Sequence, residues 1–129
     1  MAISIHVLEH VEHERQFLYE LKRVAKNVLI EIPLEHTFWV DKAINVSGKY
    51  GHINFYTTDI FTNLLKTCGY HIQHFEVFAH SKEYEQFLSG NLKGYFKYLT
   101  RQALLKYFPT FATYLMTYVS MALCIDNDV

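Results

Sequence analysis

The segment Ile3 to His13, ISIHVLEHVEH, places three histidines and two glutamates within eight positions. Imidazoles and carboxylates are the side chains that ligate metals and move protons near neutral pH. His6, Glu9 and His10 spell HxxEH, an inverted zinc-protease pattern. A zinc hydrolase would need His6 and His10 one helical turn apart on one face, a third ligand, and Glu9 free to act on a metal-bound water. The surrounding residues argue against that arrangement. Met1 to Ile5 reads as a short strand, so His6 falls at a strand end, and no downstream glutamate sits on a second helix at ligand spacing. The expectation is therefore that no residue holds a metal.

The elements that position the cluster favour another chemistry. From Glu14 onward, Phe17, Leu18, Leu21, Val24 and Ala25 recur at helical spacing, with Arg15, Glu20, Lys22 and Arg23 mostly on the opposite face. Asn27 then leads into VLIEIP, a branched run that Pro33 closes because proline cannot donate to a ladder. Strand, helix and strand in so short a span predict a βαβ unit with a parallel pair. In a doubly wound α/β fold, ligands bind beyond the carboxyl ends of the parallel strands. His6, Glu9 and His10 are thus expected to rim an organic ligand site. For His13, capping or preceding the helix is the simpler role.

Leu34 to Gly51 reads as a long loop with one helical turn around Phe38 to Ile44, and long loops after strand ends often carry sites. YTTDIFTNLLKTCGY predicts a helix that starts on Thr57 or Thr58, buries Ile60, Phe61, Leu64 and Leu65, and stops at Gly69. Tyr70 to Phe78 reads as a strand, and Glu83 to Leu88 and Leu92 to Tyr107 as helices. After the interruption at Pro109, Tyr114 to Ile125 fits either a closing strand or a buried helix. Tyr107 to Ile125 carries no charge over roughly the length of a membrane span, but Pro109 and its threonines and serine favour a buried or interfacial segment.

A chain of 129 residues, half of them hydrophobic, is enough for one domain with one core, here 1–80 as α/β core and 81–129 as helical insertion and closing strand. A formal charge of -1 supplies no field to recruit nucleic acid. Cys68 and Cys124 match no zinc spacing, and a reduced, cytoplasmic chain is the default. Ten tyrosines and ten phenylalanines crowd the second half, where they fill a core or line a pocket or contact surface.

ISIHVLEHVEHERQFLYELKRVAKNVLIEIP, followed by GHINFYTTDIFTNLLKTCGY, resembles the second half of class I S-adenosylmethionine-dependent methyltransferases. The likeness rests on an LEHV turn after a strand, an RV at the next helix end, an IEIP strand and an HINFYT segment before a helix ending in GY. It extends over residues 1 to about 78. The resemblance implies a partial doubly wound, Rossmann-like sheet, strands 4 to 7 of the family, with flanking helices and a helical insertion before the last, antiparallel strand. It implies S-adenosylmethionine as cofactor and a small-molecule acceptor. On this chain it places His6, Val7 and Glu9 at the methionine end of the cofactor. Pro33, Glu35 and Tyr56 fall on the acceptor side, and His10 or His52 would serve as base.

The family's glycine-rich turn after its first strand has no counterpart here, because Gly48, Gly51, Gly69, Gly90 and Gly94 never form GxGxxG after a strand. Catalysis by this chain alone is therefore not expected. A sheet lacking the family's first strands would expose an apolar edge, so a homo-oligomer or a separate N-terminal half is the expected partner. The competing reading is a non-catalytic dimerisation or interaction module, in which Tyr84 to Leu123 makes an apolar or membrane-surface contact through residues such as Phe108 and Phe111. A zinc hydrolase stands third.

Overall fold

The computed structural model describes residues 1–126. Strand β1 (Ala2–Ile5) leads through a 3-10 turn (Leu8–His10) into helix α1 (Glu14–Val24) and strand β2 (Asn27–Leu34). Helix α2 (Val40–Ser47), a 3-10 turn (Gly48–Tyr50), helix α3 (Thr58–Thr67) and strand β3 (Tyr70–Phe78) follow. Helices α4 (Lys82–Ser89), α5 (Asn91–Tyr107) and α6 (Pro109–Leu115) then precede strand β4 (Tyr118–Asp126). The sheet order is β1-β2-β4-β3, with β1 and β2 parallel and β4 antiparallel to both of its neighbours. The last strand thus inserts between two that precede it, as the expected α/β sheet with a closing antiparallel strand requires.

One face of the sheet makes the core. Val28, Ile30, Ile32 and Leu34 of β2 are buried with Leu8, Leu18, Phe61, Leu65, Ala122 and Cys124. Helix α3 starts on Thr57, whose hydroxyl accepts from the Ile60 amide, and the chain leaves it through Gly69 at φ 83. In β3 the register slips between Ile72 and His74, so Gln73 is an extra residue. The bulge shifts the inward set from Tyr70 and Ile72 to Phe75 and Val77, which keeps apolar side chains on the core through an imperfect alternation.

The opposite face remains half open. Ile3 pairs with Leu29 and Ile5 with Glu31, and paired neighbours share a face. Ile3 and Ile5 are 56% and 51% exposed, and Leu29, Met121 and Leu123 are only half-buried. In a parallel sheet such a face is ordinarily covered.

Three sequence expectations change. The segment 34–51 contains a two-turn helix, α2, because Val40, Ala43 and Ile44 supply a helical stripe that a single-turn reading undervalued. Strand β2 runs one residue past Pro33. The amides of β2 alternate sides, and since Glu31 accepts from the His6 amide on the β1 side, Pro33 has its missing N–H on that side, beyond the end of β1. Tyr107 to Ile125 divides into α6 and β4, with Pro109 at the first position of α6, where a missing amide costs nothing. Among the described residues no helix is long and apolar enough to cross a membrane.

The aromatics of the second half divide, with Tyr70, Phe75 and Tyr118 in or against the core and many of those on α4 to α6 outside it. Phe87 is 86% exposed, and Phe96, Tyr107, Phe108 and Phe111 are also exposed. Helices α4 and α5 are pinned by a buried ion cluster in which Glu85 meets Arg101 Nε at 2.9 Å and Lys97 Nζ at 3.0 Å. Gly94 makes the approach of these helices possible, since a Cβ there would lie 2.4 Å from the Gln86 Cα. Arg101 also donates to the Thr117 carbonyl, and Tyr118 donates to the Arg101 carbonyl at 2.9 Å. These bonds tie the insertion to the start of β4.

Candidate functional site

The parallel pair ends where the chemistry begins. His6 follows β1 with φ 51, a left-handed backbone uncommon for a non-glycine residue, and its amide still donates to the Glu31 carbonyl at 3.0 Å. This reversal aims the next residues across the carboxyl end of the sheet. Leu8 anchors the following turn in the core, and Glu9 beside it is 0% exposed. His6, Glu9 and His10 therefore do not share a helix face, and the HxxEH arrangement of a helical zinc site does not form.

The turn is held from the far side of the sequence. Ile53 and Asn54 both donate their backbone amides to the Glu9 carbonyl, at 2.9 and 3.0 Å. The Asn54 side chain donates to the carbonyls of Leu8 at 3.0 Å and Val11 at 2.7 Å. Asn54 is the residue that sequence reasoning missed. Its signal was present, an asparagine two positions after His52, but only the fold shows which carbonyls it satisfies.

Three side chains gather at this point. His10 Nδ1 lies 2.8 Å from the Gly51 carbonyl, His52 Nδ1 lies 2.7 Å from Glu35 Oε2, and the two rings meet edge to face with centroids 4.6 Å apart. Glu9 Oε1 lies 3.2 Å from His6 Nδ1 and 3.9 Å from His10 Nε2, while Oε2 has no hydrogen-bond partner. His6 Nε2 lies 3.3 Å from Glu31, so that ring touches a carboxylate on each side. Gly51 has φ 85, a left-handed backbone that side chains rarely adopt, which fits glycine to this position beside His10.

The other expected site residues separate into two groups. Glu35, at the carboxyl end of β2, accepts from Ser47 at 2.6 Å as well as from His52. It also lines a cleft of about 770 Å³ together with Trp39, Lys42, Lys97, Arg101 and Met116. Val7 is exposed at the rim, and its carbonyl accepts from the His10 amide at 2.9 Å. Pro33 and Tyr56, by contrast, are buried. The Tyr56 hydroxyl donates to Glu14 and approaches the Leu8 carbonyl at 3.4 Å, and burial pushes its pKa far above the ordinary tyrosine value. It stays a neutral donor that braces the turn from beneath.

A parallel pair whose carboxyl ends carry this cluster, with a final antiparallel strand inserted beside it, is the arrangement that the sequence resemblance to class I methyltransferases predicts. Similarity to known proteins agrees at the level of structure. No family model matches the chain, and no curated protein does so by sequence. Among solved structures, a mycolic acid cyclopropane synthase complexed with SAH and CTAB matches at a TM-score of 0.58 and 15% identity. The match covers 96% of this chain and 54% of the synthase chain. The chain thus shares the fold of that synthase over a little more than half of the synthase's length.

Proposed function

We propose that this chain supplies the acceptor side of an S-adenosylmethionine-dependent methyltransferase for a small-molecule acceptor, in a cytoplasmic setting, and does not turn over alone. The observation that carries this reading is the structural likeness across nearly the whole chain to a synthase complexed with SAH. Strands β1, β2, β3 and β4 would then stand for the fourth, fifth, sixth and seventh of the complete sheet. The residues present suit only the methionine end of the cofactor, since no glycine-rich turn follows a strand among them. His6, Val7 and Glu9 would approach that end.

Bound cofactor supplies an electrophilic methyl group, and what remains for protein residues is chiefly positioning. When the acceptor atom carries a proton, His10 or His52 takes it at Nε2, because Nδ1 of each ring is already engaged. Glu35 holds the His52 ring and faces the cleft, where the 34–51 segment would select the acceptor. Pro33 and Tyr56 contribute by supporting the rim.

Chemical-shift mapping with millimolar S-adenosylhomocysteine tests this directly. The expected result is weak binding with shifts confined to the amides of His6 to His10 and Glu31 to Glu35. Shifts confined to Tyr84 to Leu123, or none at all, would overturn the reading.

A second reading, an interaction module, draws on the half-open sheet face and on the exposed aromatics of α4 to α6. Both readings call for something to cover the sheet, a second copy or a glycine-rich N-terminal half, and the aromatics also suit a membrane surface. Sedimentation of the purified chain is expected to show self-association that Ile3→Lys and Ile5→Lys weaken. A stable monomer would remove the homo-oligomer. Association that survives these changes but is lost in Phe108→Ser or Phe111→Ser would transfer the contact to the insertion.

A further inference from the structure

We infer that Glu9, His10 and His52 form a binding site for a first-row divalent metal ion such as zinc, with at least one coordination position left open. The three residues each offer one ligand atom, and these atoms all lie within 4.8 Å of one another. Two imidazoles and one carboxylate are a donor set that suits zinc, cobalt, manganese or ferrous iron, and three protein ligands leave room for a water or another oxygen donor. Tetrahedral bonds of about 2.0–2.2 Å place donors roughly 3.3–3.5 Å apart, so the widest separation needs to close by about 1.3–1.5 Å.

Three further features distinguish the cluster from a chance grouping. First, each histidine already has its outer partner. His10 Nδ1 is bound to the Gly51 carbonyl and His52 Nδ1 to Glu35 Oε2, which fixes the proton on Nδ1 and leaves Nε2 as the ligating nitrogen. Metal-bound histidines are oriented in this way, by a carbonyl or a carboxylate on the other nitrogen. Second, the Glu35 carboxylate is itself held by the Ser47 hydroxyl at 2.6 Å, so the outer shell is built in depth.

Third, the Glu9 carboxylate is fully buried and its Oε2 has no hydrogen-bond partner. A buried carboxylate oxygen without a donor is costly, and a cation satisfies it. His6, on Oε1 at 3.2 Å, holds the carboxylate from outside the metal's coordination sphere. The site thus has a buried acidic floor and two partly exposed imidazole walls, of 38% and 17% side-chain exposure for His10 and His52, through which an ion enters.

This assignment departs from the expectation drawn from sequence. HxxEH names His6 as a ligand, whereas the fold engages the His6 ring between Glu9 and Glu31 and groups His52 with Glu9 and His10 from over forty residues away. The assignment competes with the base role of His10 and His52, since an Nε2 bound to an ion cannot take a proton, and its test reads the ion itself.

The experiment is titration of the full chain with cobalt(II), followed by visible absorption and calorimetry, with zinc(II) as competitor. One cobalt per chain is expected, with d–d bands that zinc abolishes. His10→Ala and His52→Ala should each lose the bands while near-ultraviolet circular dichroism shows an intact fold. Glu9→Gln, the same in shape, should do likewise. Glu35→Gln should retain the site with affinity lowered roughly 10- to 100-fold. No saturable cobalt binding by the native chain would overturn the inference. So would binding that survives both histidine changes, because the ion would then sit elsewhere.

Discussion

Arg101→Ala is expected to destabilise the chain by about 3–5 kcal/mol, because it leaves the Glu85 carboxylate buried and paired with the half-exposed Lys97. Glu85 is 1% exposed and Arg101 7%, and the change also removes the donation that Arg101 makes to the Thr117 carbonyl. The ion pair is close, at 2.9 Å, yet neither Glu85 oxygen has hydrogen-bonding geometry, so the attraction is mainly Coulombic and the desolvation cost is incompletely offset. Urea unfolding measures the loss. The double variant Glu85→Met with Arg101→Met should recover much of it, since an apolar pair of similar volume carries no buried charge. A loss below about 1 kcal/mol in the single variant would show that the cluster behaves as a surface pair.

The structural consequence reaches the site. Arg101 and Lys97 line the same cleft as Glu35, and the bonds from Arg101 and Tyr118 fasten α5 to the start of β4. Releasing Arg101 should therefore loosen the insertion that forms one wall of the cleft. Hydrogen exchange is expected to accelerate in α4 and α5 before it does in β2, which is paired with β1 on one side and β4 on the other.

Asn54→Ala is expected to cost about 2 kcal/mol, because it removes the side-chain donor to the Val11 carbonyl and the shortest of three donors to the Leu8 carbonyl, which keeps only the long bonds from the Val11 amide at 3.3 Å and the Tyr56 hydroxyl at 3.4 Å. The larger effect is positional. Glu9 and His10 lie between those two carbonyls, and the amides of Ile53 and Asn54 clamp the Glu9 carbonyl. Without the side-chain bonds, the turn should rock on Leu8, and protection of the Ile53 and Asn54 amides should fall more than global stability does. The histidine ring resonances of His10 and His52 should broaden or shift together. Unchanged exchange at Ile53 and Asn54 would show that the turn is held by Leu8 and Tyr56 alone. Asn54→Asp is the informative companion, because it keeps the shape but replaces the donor with a charge that repels carbonyl oxygens.

Much of this molecule was legible in its residues. The 3.6-residue recurrence of Phe17, Leu18 and Leu21 and the Thr57-to-Gly69 frame gave α1 and α3, since each helix carries both its apolar face and its end signals locally. The parallel pair followed from two branched runs joined by one helix. Helix α2 was less legible because its apolar stripe is short and Gly48 and Gly51 lie close behind it. The fate of Tyr114 to Ile125 was open for another reason. A fully apolar run fits a buried strand or a buried helix equally, and only pairing partners on both sides, β2 and β3, make it a strand.

At the site, the sequence by itself determined the chemical inventory: imidazoles and carboxylates concentrated after a strand, and a second histidine-bearing segment before α3. Short-range patterning suffices for that, because it records residue types and the elements that carry them. The tertiary structure alone decided the partners. His6 was engaged between the Glu9 and Glu31 carboxylates, and His52 was brought to His10 by the clamp from Ile53 and Asn54. Glu9, an ordinary acidic residue in the sequence, became a buried carboxylate with one oxygen unpaired. Contacts of this kind join residues more than forty positions apart, and they depend on packing and hydrogen-bond satisfaction across elements, which no local spacing encodes.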